Sequence, residues 1–321
     1  MDTKDFKIND GVLVKYLGNA EQIIIPDGVK TIGQEAFRQC LTAKEIYVPD
    51  TVTVIENYAF FDCHALTRIC LPNEMTCIGI GAFHRCSSLV EFKFPYGIKV
   101  VSGGIFQYCT SLTEVDIPYG VTAIDYSAFY SCSALTEIIL PCGVTKIQDY
   151  AFCGCSALTE AVIPETVTEI GSAAFCGCHA LEKAELPPYL SQLSNHVFCD
   201  CISLKEISLP EGIAKIGDNA FEGCTALLRV NIPDSVTEIN DKAFWYCKSL
   251  TEMTIPDSVA VIGNKVFSGC DSLRSITINA DKLTQIGKKL DLNDKNTVRK
   301  YVLGCVARAE KGLLTAEEEK N

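Results

Sequence analysis

Shifted along itself by 23 residues, this chain superimposes on its own pattern, and that periodicity limits its fold more than any other feature. Proline recurs at Pro26, Pro49, Pro72, Pro95, Pro118, Pro141, Pro164, Pro187, Pro210, Pro233 and Pro256. Phenylalanine keeps the same step from Phe37 through Phe60, Phe83, Phe106, Phe129, Phe152, Phe175, Phe198, Phe221 and Phe244 to Phe267. A constant period over eleven units is the mark of a solenoid: one repeat cannot bury its own apolar face, and its neighbours in the stack do so. A stack also escapes the size limit that a single core would impose on 321 residues.

The unit reads Leu-x-x-Ile-x-Ile-Pro-x-x-Val-x-x-Ile-Gly-x-x-Ala-Phe-x-x-Cys. In Leu135–Phe152, Leu135, Ile138 and Leu140 alternate inward while Glu137 and Ile139 point out, the period of a strand. Pro141 lacks the N–H that a ladder between coils needs and ends that strand. Val144 and Ile147 then point inward on a second extended segment. Seven residues after proline stand mostly glycine, serine, asparagine or aspartate, as a bend with positive φ favours. The Ala-Phe pair and the cysteine are expected to close the coil on a tight, partly helical arc.

Residues 1–22 precede the first full repeat. Phe6-Lys7-Ile8 and Val12–Tyr16 flank Asn9-Asp10-Gly11, a turn signal that predicts a hairpin cap. Residues 23–278 hold eleven repeats. Asn279 stands at the twelfth proline position and Lys282 replaces the apolar residue after it, so coiling is expected to stop there. Residues 279–312 read as a C-terminal cap, with a helix capped by Asn293 or Asp294 that turns Val298, Tyr301, Val302, Cys305 and Val306 to one face. Residues 313–321 read as a disordered acidic tail.

A net charge of -12 argues against nucleic acid as partner, because phosphates need a basic face. No apolar run reaches the roughly 18 residues of a membrane span, and Met1–Phe6 lacks the apolar core of a secretory signal, which for the chain as written predicts the cytoplasm. Of eighteen cysteines, eleven share one repeat position from Cys40 to Cys270, the regularity of a packing column. A small hydrophobe with a weak donor suits an inward site that must satisfy a backbone carbonyl.

The strand segment resembles the L-x-x-L-x-L of leucine-rich repeats. Ile232-Pro233-Asp234-Ser235-Val236-Thr237-Glu238-Ile239, followed by Ala243-Phe244, Cys247 and Leu250, narrows the resemblance to the BspA-like family. The resemblance implies an α/β solenoid, a curved array with a parallel sheet on its concave side, and surface or secreted proteins of host-associated bacteria and some protists that bind host proteins or other cells. It transfers no catalytic residue.

The column four before proline carries Glu91, Glu114, Glu137 and Glu160 in succession, a ladder of like charges that costs stability and suits a basic partner or a hard cation such as calcium. Tyr96 and Tyr119 share a repeat position, with Tyr108, Tyr126 and Tyr130 near in sequence, and Trp245-Tyr246 form a second group. Exposed aromatics are enriched in binding hot spots, although they also cover apolar coil edges. Cys153, Cys176 and Cys199 each follow a repeat phenylalanine and are expected to point outward, where stacked thiols bind a soft metal or cross-link. The four histidines fall in scattered columns, and no nucleophile has a base and orienting acid beside it. The expectation is a noncatalytic, monomeric scaffold without cofactor that binds a basic or host-derived protein. The competing readings are a metal or thiol-redox protein built on the Glu or Cys ladders, and a structural spacer.

Overall fold

The structure is a computed structural model that describes residues 3–278 and Gln285–Ile286. The chain divides into two compact units, Met1–Phe175 and Cys176–Asn321. Each is a parallel β-solenoid in which every coil offers two strand positions, one before and one after the repeat proline.

In the first unit, Gln22–Ile24, Glu45–Tyr47 and Arg68–Cys70 pair in parallel, with Ile23, Ile46 and Ile69 in register. Proline ends each strand and begins a turn: the Pro49 carbonyl accepts the Val52 N–H at 3.1 Å. After the turn, Thr31–Ile32, Val54–Ile55 and Cys77–Ile78 form a second ladder. Phe6–Asn9 and Val12–Tyr16 form an antiparallel hairpin around Asp10 and Gly11, both at positive φ, and Val12–Tyr16 starts this second ladder by pairing with Thr31–Ile32. In the second unit, Lys183–Glu185, Glu206–Ser208 and Arg229–Asn231 build the first ladder, and Gln192–Leu193 through Val261–Ile262 the second.

The helical arc expected at Ala-Phe is absent, and the described residues contain no α-helix, only a 3₁₀ turn at Thr3–Asp5. The described residues therefore form a β-solenoid rather than an α/β one. Two left-handed residues per coil, such as Tyr58 and Asp62 or Tyr150 and Gly154, break any run of helical dihedrals. Backbone donors alternate between two destinations. The N–H groups of Tyr58, Phe60 and Asp62 reach the next coil at Ile80, Ala82 and His84, whereas those of Ala59 and Phe61 fold back to Glu56 and Tyr58. Every second donor is thus taken by stacking, and a continuous intrachain ladder cannot form. The terminal helix expected near residues 293–312, like the acidic tail, lies outside the described residues.

The glycine seven after proline serves closeness, not positive φ. At Gly171 an added Cβ would lie 2.4 Å from the Asp149 backbone nitrogen of the preceding coil. The left-handed residue comes two positions later, at Ala173 in the same coil.

Coiling also continues past Asn279. Val261 and Ile262 pair with Gln285 and Ile286, a step of 24 where every other coil uses 23. In the sequence, one residue inserted after Asn279 restores the pattern as Leu283-x-x-Ile286-Gly287.

The interior is a stack of phenylalanines. Phe60 and Phe83 lie 5.1 Å apart at 3°, Phe129 and Phe152 5.2 Å apart at 3°, and Phe221 and Phe244 5.3 Å apart at 10°. Leucine, alanine, valine and isoleucine columns line the same core. The first unit's stack is widest where Phe92 occupies a position elsewhere held mainly by isoleucine or valine. Its ring sits edge-on to Phe83 and Phe106 at 5.0 and 4.7 Å, and the two stack members part to 6.0 Å. Both ladders are interrupted beside it, since Arg68–Cys70 and Glu91–Lys93 belong to separate sheets, as do Cys77–Ile78 and Val100–Val101. The extra ring volume is taken up at this coil. The single sheet expected from the period is broken here and also between Glu114–Asp116 and Glu160–Val162 and between Arg229–Asn231 and Glu252–Thr254, where no such ring intrudes.

Candidate interaction surface

Residues four and two before proline share one face of the first strand, because side chains alternate along it. In the strand pair Glu91–Lys93 and Glu114–Asp116, Glu91 stands directly beside Glu114 and Lys93 beside Asp116. Arg68 approaches Glu91 at 3.9 Å and Lys93 approaches Asp116 at 3.5 Å, so cations offset part of the repulsion. The expected four-step acidic ladder is interrupted at Glu137, which lies outside any strand; on this face its coil meets the next at the isolated bridge Ile139 to Val162. Glu160 follows on the strand Glu160–Val162.

A recess of about 460 Å³ opens where that ladder fails. Glu114, Asp116 and Glu137 supply carboxylates, and Tyr96, Tyr119 and Ile139 supply apolar surface. These three apolar side chains are 64%, 87% and 78% exposed. No lysine or arginine lines it. The neighbouring recess between Arg68 and Asp116 contains Arg68 and Lys93, and one in the second unit sets Lys183 and Arg229 against Glu185 and Glu206. The acidic and tyrosine groups singled out in the sequence therefore meet at Glu114, Glu137, Tyr96 and Tyr119. Asp116 was missed; its signal was the period of two that turns it to the same side as Glu114.

Tyr108 and Tyr130 do not join them. Their rings meet edge-on at 5.5 Å on the arc of the coil, in a row with Phe61 and His84 and with Arg85 over Tyr108 at 5.6 Å. Burial, then the Arg85 charge, holds His84 below its ordinary value, against a smaller opposing pull from Asp62. Trp245 and Tyr246 lie in the second unit at 4.8 Å from each other, with the Lys242 ammonium 4.1 Å from the Trp245 ring. Both are half-buried against their own coils, the arrangement of side chains that cover an edge.

The inner cysteines carry the packing role read from their period. Cys63, Cys109, Cys155 and Cys247 each donate to the carbonyl of the phenylalanine 26 residues earlier, at 3.0 to 3.2 Å. Burial pushes the Cys155 thiol up to about 12, far from a reactive thiolate. Cys153 and Cys176 are half-buried, whereas Cys199 is buried at 7% exposure, contrary to the outward position expected. The turn after Phe198 carries it under its neighbours, with Cys176 and Asp200 both in hydrogen-bond reach. Among the described residues, no three His, Cys, Asp or Glu side chains converge to hold a metal ion, and no helix is long and apolar enough to cross a membrane.

Stacked 23-residue coils with a leucine-rich strand and a variable exposed strand face define a leucine-rich repeat protein. The family model for the BspA type leucine rich repeat region matches residues 7–136, 122–251 and 237–293, and the chain belongs to that family. A leucine-rich repeat protein from Bacteroides ovatus is 26% identical, with 86% of this chain and 85% of that one covered at a TM-score of 0.63. The pneumococcal vaccine antigen PcpA shares the fold at 18% identity, 89% and 83% coverage and a TM-score of 0.54. A leucine-rich repeat protein from Eubacterium ventriosum does so at 19%, 89% and 92%, with a TM-score of 0.52. No curated protein matches the chain.

Proposed function

We propose that this protein is a noncatalytic binding scaffold whose recess at Glu114, Asp116, Glu137, Tyr96, Tyr119 and Ile139 takes a basic, apolar segment of another protein. The observation that carries this reading is the juxtaposition of three carboxylates and three exposed apolar side chains with no cation in the lining. Carboxylates in such a site steer and select a cationic partner, and rigid aromatic surface slows its departure. Bacterial leucine-rich repeat neighbours, among them a pneumococcal antigen, are consistent with work at a cell surface or against a host protein.

The test uses a labelled peptide that alternates lysine or arginine with isoleucine and tyrosine, and a control peptide with glutamate in place of the cations. The basic peptide should bind, with affinity that falls as salt rises. Glu114→Lys with Glu137→Lys should slow association mainly, and Tyr96→Ala with Tyr119→Ala should speed dissociation. Equal binding of the acidic control, or kinetics unchanged in both variants, would remove the recess from consideration.

A further inference from the structure

The repeat position directly after phenylalanine is chemically unconstrained: Phe61, His84, Gln107, Tyr130, Glu222, Trp245 and Ser268 all occupy it. Packing therefore does not require cysteine there, in contrast to the inner column, where each thiol completes a carbonyl. Yet Cys153, Cys176 and Cys199 hold this position in consecutive coils, and of these Cys176 and Cys199 belong to the same unit. The Gly177 N–H donates to the Cys199 carbonyl at 2.7 Å, which locks the two coils together beside them, and the two thiols share a hydrogen bond. Coils stacked at about 4.8 Å fall inside the Cα separation of roughly 4.4–6.8 Å that a disulfide spans.

We propose that Cys176 and Cys199 are a redox-sensitive pair that closes to a disulfide between consecutive coils by exchange with a low-molecular-weight disulfide. Their unequal exposure assigns the order of events. Cys176 is half-buried and reachable, whereas Cys199 is 7% exposed and shielded from an external reagent. Cys176 loses its proton to solvent, and its thiolate attacks one sulfur of the reagent, which expels one thiolate that takes up a proton. Cys199 then loses its proton, attacks the Cys176 sulfur and expels the second thiolate. Two S–H bonds give way to one S–S bond, and the reagent is reduced to two thiols. The Cys176 thiol, then burial, then the Asp200 and Glu222 carboxylates hold the Cys199 proton far more tightly than an ordinary thiol does. Cys199 is thus the resolving partner, and it reacts only once a sulfur is held beside it.

The experiment exposes the full, reduced chain to glutathione disulfide, blocks remaining thiols by alkylation and maps peptides without reduction. Cys176 and Cys199 should lose alkylation together and appear in one linked peptide, while Cys224 and Cys155 remain reduced. In Cys199→Ser the mixed glutathione disulfide should accumulate on Cys176; in Cys176→Ser, Cys199 should stay a thiol. Far-ultraviolet circular dichroism establishes that both variants fold, and the parent chain's map stands by itself if either does not. A link between Cys153 and Cys176, a mixed disulfide that persists in the parent, or selectivity no greater than in urea-unfolded chain would each overturn the proposal.

Discussion

Cysteine at the inner column combines two properties that no other small residue offers there. It fills the space beneath the phenylalanine stack, and its thiol adds a second donor to a carbonyl that already closes a turn: Phe129 accepts from the Cys132 N–H at 3.0 Å and from the Cys155 thiol at 3.2 Å. Alanine would supply neither the sulfur volume nor the donor. Cys155→Ala should therefore cost about 1–2 kcal/mol, from a small void together with the loss of one of the two hydrogen bonds to a buried carbonyl. Urea denaturation of the two chains measures it, and a loss below a few tenths of a kcal/mol would mean that the thiol contact contributes nothing. The same reasoning accounts for the inner column without a disulfide framework, since eight of its cysteines, among them Cys63, Cys155 and Cys270, are interior donors.

At the scale of the coil, the regular strands follow from the proline, leucine and isoleucine columns, and two departures coincide with a single bulky residue and a single inserted one. Phe92 is the clearest case. Phe92→Ile should let Phe83 and Phe106 close from 6.0 Å toward the 5.1 Å of Phe60 and Phe83 and restore ladder pairing between Arg68–Cys70 and Glu91–Lys93. Amide exchange across Glu91–Lys93 should then slow; exchange that is unchanged or faster would show that the ring supports this coil and does not spread it. The period made the strands, their register and the packing columns readable in advance. It did not reveal the arc, because whether Ala-Phe forms a helix depends on where its N–H groups go, and half go to another coil. It concealed the extra turn at Gln285–Ile286, because one inserted residue shifts every later position out of phase. For the candidate surface, the period identified Glu114, Glu137, Tyr96 and Tyr119 by column. It could not separate Tyr108 and Tyr130 from them, since nearness in sequence within a 23-residue coil spans opposite sides of that coil.

Within each unit, the bonds between coils join residues about one period apart, as Thr51 to Val29 in the first and Cys270 to Phe244 in the second, so a coil is held by its immediate neighbours. Stability in such an array is a sum of coil terms and nearest-neighbour interfaces. A lesion inside the first unit should therefore act locally and weaken the link between the coils on either side, which keep their own contacts. Phe129 is suited to the test, because its ring is fully buried between Phe106 at 5.5 Å and Phe152 at 5.2 Å. Phe129→Ala should cost about 3–5 kcal/mol in the affected coils, as a large side chain leaves a cavity that backbone ladders prevent from collapsing. The urea transition should also broaden, because coils before and after the gap unfold less in step and each expose a smaller area. Hydrogen exchange should rise at Ala123–Ile124 and Lys146–Ile147 and hold steady at Lys215–Ile216 and Glu238–Ile239. A transition displaced to lower urea with its slope intact, and exchange raised equally everywhere, would show that the array unfolds as one cooperative block.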